Sequence, residues 1–140
     1  MIVFKFIMLL KLNPVTIGRR ELKTRSIPCN DNQLRRMHWA ERGKWAKAWK
    51  EEVGWAVQKY RSKTKEWVFF FHKKLTIQVI FYCIKTMDSD NAMAAIKPLI
   101  DGLVDMEVIK DDSDAFVKIL PVMQIKVSKR EEEHVEIVIK

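Results

Sequence analysis

The chain has 140 residues, 48% of them hydrophobic, and a formal charge of +8 from 26 Lys+Arg against 18 Asp+Glu. That length suits one domain spanning residues 1–140, and the hydrophobic content excludes an intrinsically disordered chain. Two cysteines, Cys29 and Cys83, exclude a disulfide framework and point to a reducing, cytoplasmic setting.

In chain order, residues 2–12 read as a first strand. The stretch is interrupted by Lys5 and Lys11 and is too short to span a bilayer, so neither a signal peptide nor a membrane partner is expected. Pro14 and Gly18 mark a turn, and Glu21 to Ile27 form a second, more polar strand, making residues 1–27 an accessory strand pair. Pro28 to Asn32 is a loop by composition. From Leu34 to Tyr60 the spacing of Trp45, Trp49, Val53, Ala56 and Tyr60 is helical, with Lys44, Lys47, Lys50 and Lys59 off that stripe. Arg61 to Lys65 is a charged connector.

Leu75 to Ile84 alternates as a strand, and its apolar content on both faces predicts a central strand covered on both sides. A helix from near Asn91 to Asp105 follows, with Pro98 forcing a kink or an early end to its first turn. Asp111-Asp112-Ser113-Asp114 forms a turn before a strand over Ala115–Val127, where Pro121 suggests an edge or a bulge. Val135, Ile137 and Ile139 then close a hairpin. The order β(β)αβαββ predicts an α/β (α+β) fold, a small mixed sheet packed with two main helices.

Charge is unevenly distributed. Residues 1–85 carry 19 Lys+Arg against 6 Asp+Glu, and residues 86–140 carry 7 against 12. A basic half beside an acidic half suits a nuclease, where one attracts a polyanion and the other holds divalent cations. The acidic half opens with Asp88-Ser89-Asp90-Asn91 after the central strand. Strand alternation lets Asp88 and Asp90 point the same way, and bare carboxylates about 4 Å apart repel by roughly 4 kcal/mol at an effective dielectric near 20. A cation relieves that cost, and oxygen donors without a nearby His or Cys favour Mg²⁺, with Mn²⁺ able to substitute.

Other sites fit less well. The EF-hand pattern fails because Met93 stands where its turn glycine belongs and Leu99 where its terminal glutamate belongs. No E-x-K pair ends a hydrophobic strand. The histidines His38, His72 and His134 are too scattered for a metal cluster, and none lies near Cys83.

Asp88-Ser-Asp-Asn, then Lys97-Pro-Leu-Ile-Asp101-Gly-Leu, then Val108-Ile-Lys-Asp111-Asp112 resembles the RusA family of Holliday-junction resolvases, in particular its phage and prophage members. Asn32 to Ala40, with Arg36, His38 and Trp39, is similar to the same members, and the resemblance covers roughly residues 28–127. It implies a homodimeric, Mg²⁺-dependent endodeoxyribonuclease that cuts four-way DNA junctions by paired symmetric nicks in recombination and repair. Metal ligands would fall on Asp88, Asp90 and Asp112, the essential lysine on Lys97, and a supporting acid on Asp101, with Asp111 beside the ligand. Five residues separate Asn91 from Lys97, where the shorter family form has two. Arg35, Arg36, His38, Arg42, Lys44 and Lys47 are candidates for DNA contact, and Trp39 for stacking at the junction opening or for the core. Two other classes stay open: a non-cleaving junction-binding protein whose aspartates cap helices, and a nuclease acting on branched DNA more broadly.

Overall fold

The computed structural model describes residues 4–8, 16–17, 20–21, 31–63 and 74–140. Its elements are β1 (Phe4–Met8), β2 (Thr16–Ile17), β3 (Arg20–Glu21), α1 (Asp31–Arg36), α2 (Trp39–Lys63), β4 (Leu75–Cys83), α3 (Ser89–Ala95), α4 (Lys97–Asp105), β5 (Val117–Ile119), β6 (Met123–Lys126) and β7 (His134–Ile139). β1, β7, β4 and β5 form a mixed sheet in that order, with β6 continuing along the β5 side of β4. β7 is antiparallel to both β1 and β4, whereas β5 and β6 run parallel to β4. The fold is α+β, as the alternation of strand and helix patterns predicts.

β4 organises the core. Leu75, Ile77, Val79, Phe81 and Cys83 are buried on one face, together with Trp45, Trp49, Val53 and Val57 of α2 and Leu99, Ile100 and Leu103 of α4. The other face, with Thr76, Gln78, Ile80 and Tyr82, is only half-buried, which corrects the expectation of full cover on both sides. On that face Tyr82 stacks on His134 at 4.1 Å and bonds the Glu136 carboxylate at 3.3 Å, so polar edges and apolar bodies share it.

The expected final hairpin is also corrected. β7 does not pair with β6; it lies on the opposite side of β4, where Phe81 faces Val135 and Ile77 faces Ile139. A 3-10 turn at Arg130–Glu132 carries the chain between them, and Glu132 accepts from the Ser128 and Lys129 amides. Val135, Glu136 and Ile137 are buried in succession, which suits an interior strand better than an edge. The Ala115–Val127 segment divides at Pro121 into β5 and β6, and the Pro121 carbonyl accepts from Gln78 Nε2 at 2.7 Å.

The helices differ from expectation at their ends. The expected Leu34–Tyr60 helix is two, α1 starting at Asp31 and α2 running on to Lys63. His38 stands at the break, where its Nδ1 faces the Ala40 amide at 3.3 Å and its carbonyl accepts from Glu41 and Arg42. The predicted charged connector at Arg61 is therefore helical, and Arg61 Nη2 reaches the Met106 carbonyl at 2.6 Å. The expected Asn91–Asp105 helix likewise divides at Ile96 into α3 and α4, with Pro98 in the first turn of α4, where its missing N–H costs nothing. The expected second strand reaches Glu21 only within the β2–β3 pair; its remainder, residues 22–27, lies outside the described residues, as do Pro28–Asn30 and His72.

α4 ends in a Schellman motif: the Glu107 amide bonds the Val104 carbonyl and the Val108 amide the Leu103 carbonyl, with Glu107 left-handed at φ 55°. α2 and α4 cross at Gly102. A Cβ there would lie 2.9 Å from Val53 Cβ and 3.3 Å from Lys50 Cα. Gly43, by contrast, has open space around it on the exposed side of α2. In urea unfolding, Gly102→Ala is expected to lower stability by about 1–3 kcal/mol through overpacking, and Gly43→Ala to raise it by about 1 kcal/mol through helix propensity. Equal shifts in both variants would disprove the close crossing.

Candidate functional site

β4 ends at Cys83, five residues before Asp88, so strand alternation does not aim the two aspartates. Asp88 instead takes the N-cap position of α3 in an extended conformation, and Asp90 stands in its first turn. Both are exposed, and neither makes an ion pair among the described residues. Asp88 does not use its side chain to cap the helix. Its main chain is held instead, with the carbonyl accepting from the buried Ala92 amide at 2.9 Å.

A second set of charges assembles at the start of α4. Lys97 Nζ lies 2.6 Å from Asp101 Oδ1 and 2.6 Å from Asp112 Oδ2. The first contact joins residues one helical turn apart, and the second brings the α4–β5 connection back to the helix start. Hydrogen bonds from Asp101 and then Asp112 push the Lys97 ammonium well above its ordinary range. The same lysine holds the Asp112 carboxyl below its ordinary range. Asp111 is exposed and turns back to accept from the Asp112 amide at 2.8 Å, which orients the residue that Lys97 grips.

The structure therefore brings Lys97, Asp101, Asp111 and Asp112 into one network, with Asp88 and Asp90 on the preceding helix. Among the described residues, no three His, Cys, Asp or Glu side chains converge as a ready set of metal ligands. Mg²⁺ asks for less than such a cage: one or two carboxylates suffice when waters and a substrate phosphate complete its shell. The uncommitted oxygens of Asp88 and Asp90 fit that requirement, while Asp112 is engaged by Lys97.

The basic residues gather at the α1–α2 elbow. Arg35 and Arg36 occupy the last turn of α1, and Arg42, Lys44 and Lys47 are exposed along α2. α1 packs against α3, so this elbow adjoins the helix that begins with Asp88 and Asp90. Lys44 and Lys47 make only long contacts, at 3.4 Å to Glu41 and 3.9 Å to Glu51, which leave their charges accessible to phosphate. Trp39 is 73% exposed beside His38, which removes the core alternative for this tryptophan. His38 has a local duty as the cap of α2.

Trp55 is a surface residue that the sequence pattern did not single out, at 68% exposure. Its signal was negative: it falls outside the buried series Trp45, Trp49, Val53 and Val57. No described helix is long and apolar enough to cross a membrane.

The lowered Asp112 carboxyl and raised Lys97 ammonium fix the sign of a pH test. Asp112 contributes stability above the ordinary carboxylate range, which is lost as pH falls below about 4. Lys97 contributes below the ordinary lysine range, and that is lost only as pH rises past about 10. The stability difference between the wild type and Lys97→Met, from urea unfolding, should be flat between about pH 5 and pH 9 and shrink below pH 4. A difference that peaks in acid would contradict the pairing. No protein-family model matches the chain, and no curated protein matches it.

Proposed function

We propose that this protein is a RusA-like, Mg²⁺-dependent endodeoxyribonuclease that resolves four-way DNA junctions by paired nicks. One observation carries the reading: the basic, Trp39-bearing elbow of α1 and α2 packs beside the helix that begins with Asp88 and Asp90. A polyanion held by the first is delivered to the second. The lack of a side-chain cap bond from Asp88 favours this reading over one in which the aspartates only terminate a helix.

Arg35, Arg36, Arg42, Lys44 and Lys47 would hold the sugar–phosphate backbone, fixing its position without reading bases. Trp39 would stack on a base exposed at the branch point. Asp88 and Asp90 would hold the dication, with Asp112 as the third carboxylate. Mg²⁺, or Mn²⁺ in its place, supplies charge neutralisation at the scissile phosphate and a more acidic water when bound.

Lys97 stays protonated across neutral pH, so its role is that of a fixed positive charge near the phosphoryl oxygens rather than a base. Asp101 keeps the ammonium oriented through its contact at 2.6 Å. A two-fold homodimer matches a substrate with two equivalent strands to be cut. A cytoplasmic setting in a bacterial or phage-infected cell accords with that substrate.

The test is Mg²⁺-dependent cleavage of a synthetic four-way junction beside linear duplex, flap and three-way DNA, with product strands mapped. Paired symmetric nicks confined to the junction are expected, and none in EDTA. Cutting of all branched forms would replace the resolvase with a broader structure-selective nuclease, and cleavage surviving chelation would remove the metal. Asp90→Asn is expected to abolish cleavage, retain junction binding and change stability by no more than about 1 kcal/mol. Lys97→Met is expected to cost roughly 10²–10³ in rate, with no change in the shape of the pH–rate profile between about pH 6 and pH 9.

A further inference from the structure

Beyond Cys83 the chain leaves the sheet, and the segment leading to Asp88 takes its main-chain partners from side chains on both neighbours of β4. On the β7 side, the Ile84 amide donates to Glu133 Oε1 at 3.0 Å, and Glu133 is itself buried. On the β6 side, Gln124 closes a two-bond clamp on one residue. Its Oε1 accepts from the Met87 amide at 2.8 Å, and its Nε2 donates to the Met87 carbonyl at 2.7 Å. Gln124 stands opposite Phe81 in the β4–β6 register, and both it and Met87 are half-buried.

A primary amide is suited to this task because it offers a donor and an acceptor in one plane. The Met87 amide belongs to the peptide before that residue and the Met87 carbonyl to the peptide joining it to Asp88. Gln124 therefore fixes two successive peptide planes, as a neighbouring strand would. Asp88 is then held from both sides, by the clamped carbonyl before it and by its own carbonyl bonded to Ala92 at 2.9 Å. Its side chain takes no part in either bond.

We propose that Gln124 is a positioning residue for the Asp88–Asp90 carboxylate pair, holding the turn that aims them. This rests on the reading of those aspartates as dication ligands. Groups that orient metal ligands typically carry 10–100-fold in metal affinity when lost.

The experiment is a Mn²⁺ titration followed by electron paramagnetic resonance, on the full chain, for the wild type, Gln124→Met and Asp88→Asn. Amide hydrogen exchange of the same proteins is measured in parallel. The expected result is that Asp88→Asn removes the site and that Gln124→Met weakens Mn²⁺ binding at least tenfold while remaining folded. Faster exchange at the Met87 amide, with Ile84 unchanged, accompanies it.

A purely structural role would lower the melting temperature but leave the Mn²⁺ affinity of the folded protein as it was. Wild-type affinity in Gln124→Met would thus overturn the proposal while sparing the metal reading. Mn²⁺ binding that is absent from the wild type, or insensitive to Asp88→Asn, would overturn both. If Gln124→Met does not fold, Gln124→Asn, one methylene too short to reach both groups, makes the same comparison.

Discussion

Strand β4 binds two kinds of neighbour, and the rest of the molecule follows from that. Its antiparallel ladder with β7 and its parallel ladders with β5 and β6 use both edges, so nearly every residue from Leu75 to Cys83 is fixed in register. Parallel partners require a crossover connection, and here α3 and α4 supply it. The crossover lays α4 against α2 over the buried face of β4, with Gly102 allowing the close approach. It also places the start of α3 beyond the carboxyl end of β4, the end at which open α/β sheets commonly bind ligands.

Electrostatics then divides the candidate site into two unlike parts. Asp88 and Asp90 are exposed carboxylates on the first turn of α3, where the helix dipole favours negative charge. Asp101 and Asp112 share one ammonium. The second part is internally balanced to within one charge, whereas the first has no counter-charge among the described residues. An incoming dication therefore has most to gain at the first. The basic elbow beside it is open to a polyanion for the same reason, since its lysines are only loosely paired.

Much of this was legible from residue spacing. The alternation from Leu75 to Ile84 located β4 to within a residue, and the series Trp45, Trp49, Val53 located the buried side of α2. The Lys97-to-Leu103 motif is legible residue by residue in hindsight. Lys97 carries the charge, Pro98 occupies a first turn that needs no amide, Asp101 meets the lysine one turn on, Gly102 permits the crossing and Leu103 fills the core. Pairing was not legible. A period of two in Val135, Ile137 and Ile139 identifies a strand without naming its partner, so the local hairpin was expected and the distant ladder to β4 formed instead. Break points at His38 and Ile96 were missed because helical periodicity runs through them. Gln124 was missed because its two bonds go to main chain, which leaves no complementary residue to notice.

The position of β7 has a consequence for how the sheet is made. β7 lies in the interior of the sheet, and β1 has β7 as its partner, with Met8 opposite Val135 and Phe4 opposite Ile139. During synthesis, at roughly 5–20 residues per second, β1 emerges first and waits for a strand made more than a hundred residues later. The helices and β4 can gather their apolar faces earlier, but one edge of β4 stays open until residues 134–139 appear. Such distant pairings are entropically slow to form. The interval leaves Ile77, Val79 and Phe81 on an unpaired edge, so the nascent chain is most exposed to strand-to-strand aggregation just before its last described strand is complete.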